Sequence, residues 1–325
     1  MLGFRSRSQH LDERLAPGAA SLRAAARAGL QDSVPRSALH ALHARVDDVG
    51  ANAWEDPALV QVWGPRFTAY VVPAGDHAIF TLARMPGPGR IRDRAYELSG
   101  WLRDHFGGQA ADLNDVAAEL GGHPNQLRYA SLTGTVIIRW AGARRPSVQS
   151  VAPPDIEPHD ARVELFRRYL HAYGPSTPAA FAEWAGIALS AASETFGSME
   201  SELLAVATPI GDRWVLAADE ALLDTPLPRT ARLLPSGDPY FLLQGADREL
   251  LVPDDTQRPE LWTPRVWPGA LLVDGEVVGT WRRTEAVVTV DPWRRLSRAQ
   301  RDALDAEAAS LPVPDSATAG TIHWP

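Results

Sequence analysis

The chain of 325 residues contains no cysteine. That excludes disulfides, thiolate nucleophiles, iron–sulfur clusters and cysteine-rich zinc sites, and it leads us to expect a cytoplasmic protein. It contains no lysine either, so all 32 Lys+Arg are arginines. A Walker-type phosphate loop and Schiff-base chemistry through a lysine amine are therefore excluded. No apolar run approaches the roughly 18 residues that a spanning helix needs, so no membrane association is expected. The first residues, MLGFRSRSQHLDERL, lack the apolar stretch of a secretory signal. An excess of basic charge is missing too. The net charge of −8 sits awkwardly with nucleic-acid binding, which favours a basic footprint.

The charge is unevenly spread. Between Leu120 and Pro154 there is no further acid, while Arg128, Arg139, Arg144 and Arg145 all fall there. From Pro57 to Gly75 there is again no acid, and Arg66 lies within. A basic face on an acidic body fits this pattern, as does a solvated hairpin turn at Arg144–Arg145. The length and the 45% hydrophobic content allow two to four compact units.

Apolar spacing organises the chain. Residues 11–46 read as two helices, with Leu15, Leu22, Ala26 and Leu30 on one stripe and Ala38, Leu42 and Val46 on the next. PALVQV (57–62) reads as a short helix, RFTAYVVP (66–73) as a strand and 74–84 as helix. Ile91, Ala95, Leu98, Leu102 and Phe106 mark a helix over 91–106. LNDVAAELG and HPNQLRYASL then form a helix pair, followed by a hairpin of TVIIRW and SVQSV around AGARRP. That is the order of a winged helix-turn-helix. The rhythm returns at 161–218, where Thr177 and Pro178 have the chemistry of a helix start. After Leu222 the chain turns β-rich, and Asp274-Gly275 has hairpin-turn chemistry. A helix over 296–311 and a loose tail over 312–325 close it. The expected class is α+β: winged units over 11–95, 96–158 and 159–222, then a β-barrel with its helix over 223–311.

Several side chains invite a chemical reading. Gln31, Asp32 and Ser33 lie in a polar joint. Such joints carry function as well as caps: Gln31 suits a water or a sugar, Asp32 a general base or a helix N-terminus, and Ser33 an N-cap. If the chain is extended there, Gln31 and Ser33 share one face and Asp32 points away. His40, His43 and Asp47 fall on one side of a helix, which suits either a metal or an ordinary amphipathic face.

The stretches GLQDSVPRSALHALHARV, LVQVWGPRFTAYVVPAGD, YLHAYGPSTPAAFAEWAGI, ARLLPSGDPYFLL and LLVDGEVVGTWRR, in this order, resemble the AlkZ-like family of winged-helix DNA glycosylases. The resemblance spans about residues 15 to 310. It implies tandem winged helices with a C-terminal β-barrel around a concave DNA surface. It also implies a glutamine-centred catalytic signature upstream of an arginine. Gln31 matches the first position and Arg45 the arginine. The second position, an amide or a carboxylate in the family, is Ser33 here, with the Asp32 carboxylate one residue out of phase. The expected function is a monofunctional glycosylase for alkylated, cationic bases in double-stranded DNA, a monomer with no cofactor and no metal. Arg66, Arg128, Arg139, Arg144 and Arg145 are the expected phosphate contacts. A non-catalytic winged-helix regulator and a protein-interaction scaffold remain open alternatives at this point.

Overall fold

The computed structural model describes residues 1–34, 36–140, 146–312 and 320–325. The N-terminal part runs through α1 (Leu2–Ser8), α2 (Ala19–Ala25), β1 (Leu30–Gln31), α3 (Ser37–His43), β2 (Leu59–Trp63), β3 (Ala69–Pro73) and α4 (His77–Thr81). It continues through α5 (Arg90–Phe106), β4 (Ala111–Asp112), α6 (Leu113–Glu119), a 3-10 helix (Pro124–Thr133), β5 (Val136–Arg139) and β6 (Ser147–Ser150). Then come α7 (Pro158–Tyr173), α8 (Pro178–Ala185), α9 (Leu189–Ser198), β7 (Leu203–Val206) and β8 (Arg213–Leu216). The C-terminal part holds β9 (Ala231–Leu234), α10 (Arg258–Leu261), β10 (Gly269–Val273), β11 (Glu276–Thr284), β12 (Val287–Pro292), α11 (Arg298–Ala309) and β13 (Thr321–His323).

Two expectations in the first 60 residues are corrected. PALVQV is a strand, not a helix: Val60 and Val62 alternate with Gln61, and β2 pairs with β3 over its whole length. The apolar stripe over 11–31 is not one helix. Leu15 bridges to Val46, and Leu30 and Gln31 form β1, antiparallel to β3. Ile91 stands 51% exposed rather than on the apolar face of α5. The tail is not loose at its end, because β13 pairs in parallel with β12. The 141–145 turn with Arg144 and Arg145 lies outside the described residues. Elsewhere local signals hold. Thr177 Oγ1 accepts from the Ala180 amide at the start of α8; the capping box of Ser297 and Gln300 on α11 was not singled out from sequence.

A six-stranded sheet of order β1-β3-β2-β5-β6-β4 joins strands from 30–73 and 111–150. One face carries the cores of α2 and α3 and of α5 and α6. The other packs Val62 and Tyr70 against Phe166, Tyr169 and Tyr173 of α7. Strands β13-β12-β11-β10-β9 form a second sheet, curled as a five-strand half-barrel around α11. Asp274 and Gly275, both at positive φ, make its β10–β11 turn. Among the described residues no helix is long and apolar enough to cross a membrane.

α3 fastens the first sheet to the half-barrel. His40 Nε2 meets the Pro312 carbonyl at 3.2 Å, and His43 Nε2 meets Ser310 Oγ at 3.0 Å. Arg14 donates to the His43 carbonyl at 2.7 Å and to Glu307 at 2.7 Å. The histidines therefore face α11 rather than solvent, and no group of three metal-ligating side chains exists among the described residues. Burial, with Arg283 nearby, pushes His40 down to about 4, and burial, with Arg14 nearby, pushes His43 down to about 3. The native state then binds fewer protons than the unfolded chain. This contribution to stability is complete above pH 6.5 and is lost as the pH falls toward 4. Thermal unfolding should show the Tm dropping over that window more steeply in the parent than in His43→Gln, which cannot titrate. Parallel drops in both would contradict this role.

Candidate active site

The sheet divides the Gln-Asp-Ser joint. Gln31 is the last residue of β1 and sits opposite Tyr70 of β3, so the two side chains share a face. Asp32 continues the pairing, its amide donating to the Ala69 carbonyl at 2.8 Å. Its side chain consequently turns to the other face. There it is 1% exposed. Oδ1 accepts from the Ala38 amide in the first turn of α3 at 3.1 Å, and Oδ2 accepts from Gln61 Nε2 at 2.9 Å. Gln61 Oε1 in turn accepts from the Trp140 amide at 2.6 Å. Burial pushes the Asp32 carboxyl up to about 6, against the two hydrogen bonds and the Arg36 charge. This carboxylate caps a helix and ties β1 to the β2–β5 joint.

Gln31 and Ser33 stay together on the opposite face. Gln31 Nε2 donates to Ser33 Oγ at 2.6 Å. That leaves Gln31 Oε1 as a buried acceptor without a partner, while Ser33 is exposed with its hydroxyl hydrogen free to turn outward. Gly29 makes the approach to β1 possible. At φ +78°, its missing Cβ would lie 2.6 Å from Phe80 Cε1.

The far wall comes from two hundred residues downstream. In the turn after β9, Gly237 adopts φ +75°, and a Cβ there would stand 3.2 Å from both Cδ and Oε1 of Gln31. The next residue, Asp238, is 1% exposed and receives both terminal nitrogens of Arg45, at 2.7 and 2.8 Å. Arg45 also donates to the Ala41 carbonyl and to Gln9 Oε1, so both of its terminal nitrogens are fully engaged. It works as a clamp. It ties the end of α3 to the turn whose glycine presses on the Gln31 amide. Gln61, Gly237 and Asp238 were not singled out from sequence. The PSGDP turn is a visible signal, but its target is not.

The basic residues separate. Arg66 is exposed at φ +53° and Phe67 follows at φ +59°, two left-handed non-glycine residues in succession. Buried Arg84 holds this turn. Its Nε donates to Ala185, its Nη1 to Gly64, and its guanidinium lies 4.2 Å from the Phe67 ring centroid. Since Asp32 pairs with Ala69, the Arg66 turn projects from the same end of the sheet as Ser33. Arg66 has no ion pair among the described residues. Arg128 is half-buried with Nε unpartnered, beside Tyr129, which packs edge-on to Phe67 at 5.3 Å. Arg139 is paired with Glu55 and lies 6.0 Å from the Trp54 ring. Its charge is thereby offset, unlike those of Arg66 and Arg128. Arg36, stacked 3.7 Å from Trp54, joins the same edge.

Known proteins share this arrangement of elements. A family model described as DNA glycosylase AlkZ-like matches residues 25–312. An interstrand DNA cross-link repair glycosylase of Streptomyces sahachiroi is 31% identical over 162 residues, 48% of this chain and 43% of its own length. The match thus spans less than half of that relative. The solved structure of Streptomyces sahachiroi DNA glycosylase AlkZ superimposes with a TM-score of 0.81 at 19% identity, covering 100% of this chain and 98% of that one. At that identity the likeness is one of fold.

The clamp predicts an asymmetric mutational response. Arg45→Met leaves Asp238 charged and buried, and should cost about 3–5 kcal/mol in urea unfolding. Arg45→Met with Asp238→Leu should recover much of that loss. A double variant as unstable as the sum of its singles would show that the two side chains act separately.

Proposed function

The chain belongs to the AlkZ-like DNA glycosylases, and from that premise we propose that it hydrolyses the N-glycosidic bond of alkylated, cationic bases in double-stranded DNA. The observation that carries this reading is the unpartnered Gln31 Oε1, buried under Gly237 beside the Ser33 hydroxyl. A base alkylated on a ring nitrogen leaves as a neutral molecule, taking the electron pair of the C1′–N bond. Water supplies the oxygen of the new C1′–O bond, and its proton passes to solvent. The sugar acquires oxocarbenium character on the way. Gln31 Oε1 accepts a hydrogen bond from the water and sets its negative dipole toward the developing charge. Ser33 Oγ, fixed by the Gln31 amide, holds the second position around the water. No group need take a full proton, because the leaving group is already activated.

On this reading Asp32 belongs to the framework rather than to the chemistry, since it caps α3 on the other face of the sheet. Arg66 and Arg128 contact DNA phosphates. The α7–α8–α9–β7–β8 order, and α6 with its 3-10 helix and the β5–β6 hairpin, support winged helices within the units drawn from sequence. The curated relative is named for interstrand cross-link repair. A ring-nitrogen cross-link shares its leaving-group chemistry with a simple adduct, so both belong in the substrate panel. The serine at the second signature position favours one other reading, a DNA binder without catalysis.

Duplexes carrying N7-methylguanine, and duplexes with an interstrand cross-link, should acquire abasic sites under single turnover. Gln31→Ala should lose about 100-fold, on the scale of a removed transition-state contact, and Ser33→Ala about tenfold. The rate should stay level as the pH falls through 6, because neither Gln31 nor Ser33 titrates there. A rate that falls with protonation of a group near pH 6 would return the role of base to Asp32. Tight binding with no abasic product across the panel would select the non-catalytic reading.

A further inference from the structure

Behind the Arg45 clamp lies a cavity of about 180 Å³, walled by the ends of α1 and α2, by α7 and by Pro239. Its charged and polar walls include Gln9, His10, Arg27, Arg45, Arg168 and His171, and no aspartate or glutamate among the described residues lines it. In a chain of net charge −8 that composition is unusual. The balancing carboxylates stand behind the walls. Asp238 holds Arg45, Asp76 and Glu164 hold Arg168, and Asp219 holds His171 Nδ1 at 2.9 Å. The His171–Asp219 contact leaves His171 Nε2 for the cavity. Arg27 is exposed and has no ion pair among the described residues, and His10 is partly buried at the end of α1. Burial, and then the charge of Arg45, lower the His10 pKa, the direction that an anion in the cavity would reverse.

The cavity is also well placed. Its α7 wall lies on the face that Gln31 shares with Tyr70, while its α2 wall comes from the other face, so the cavity borders the sheet beside the β1 segment that carries Gln31. Arg27 stands four residues before Gln31, and Pro239 two residues after Gly237. Ala24 and Ala28 line the cavity beside Arg27.

We propose that this cavity is a phosphate subsite in which Arg27, His10 and His171 bind the oxygens of one phosphate group. Its occupant on the reading above is a backbone phosphate near the nucleotide held at Gln31, and that assignment of occupant rests on the proposed glycosylase function. The subsite itself does not. Arg45, with both terminal nitrogens engaged, and Arg168, held by Asp76 and Glu164, supply mainly field, and Arg27 supplies the planar donors that suit phosphate.

Inorganic phosphate gives a test that needs no DNA. In millimolar phosphate the ring resonances of His10 and His171 should shift, and the lowered His10 pKa should rise. Arg27→Ala, at an exposed position, should weaken that titration about tenfold with unchanged thermal stability. His10→Asn, which tolerates the positive φ, should also weaken it. No shift at either histidine overturns the proposal, whether or not excision is observed. A second arm identifies the source of the phosphate. With neutral methylphosphonates flanking the lesion, the parent should lose affinity about tenfold and Arg27→Ala should not respond. On ordinary duplex, Arg27→Ala should also lower the salt dependence of binding by about one ion. A methylphosphonate-insensitive parent whose histidines still respond to phosphate keeps the subsite and assigns it to free phosphate.

Discussion

The buried ion pair of Arg45 with Asp238 is the constraint on which the candidate site depends. Two charges that are 1% exposed are stable only as a pair, so the end of α3 and the turn after β9 are held in one geometry. That geometry sets Gly237 against the Gln31 amide. α3 is thus loaded from both ends. Asp32 caps its start, Arg45 clamps its end, and His40 and His43 dock its flank on α11. The half-barrel side contributes a wall, Gly237, to a site whose amide and hydroxyl, Gln31 and Ser33, come from the end of β1.

A second constraint is the two-residue period of a strand. Because β1 continues as pairing through Asp32, adjacent residues separate across the sheet. The carboxylate goes to the framework, and the amide and hydroxyl stay together. Ser33 is a full partner of Gln31 by distance, though it is neither amide nor carboxylate. Chemistry that relies on an already charged leaving group can work with such a pair. Chemistry that needs a proton removed in this site cannot, since the nearby carboxylate faces away.

Much of the fold was legible locally. The Thr177 cap, the Asp274-Gly275 turn and the α5 stripe from Ala95 through Leu102 are decided by neighbours within a few residues, and they form where the sequence indicates, Ile91 apart. PALVQV misleads because six residues cannot separate a buried strand from a buried helix, and its pairing partner β3 decides the matter. The GLQDSV joint looks like a link between helices for a similar reason, as a two-residue strand has no pattern of its own. Within the site, Gln31 and the alternation around it were readable. Gln61, Gly237 and Asp238 were not, because their roles exist only through contacts 29 to 206 residues away in the chain. Composition locates Arg66, Arg128 and Arg139, but only geometry shows that Glu55 occupies the last.

The most direct measurement is a structure of the complex with duplex DNA carrying a stable abasic-site analogue. The account predicts the analogue's C1′ position under Gly237, with Gln31 Oε1 and Ser33 Oγ within about 3.5 Å of the site of the attacking water, and backbone phosphates on Arg66. A duplex lying on any other face, with Gln31 Oε1 still sealed beneath Gly237 and distant from the sugar, would contradict it.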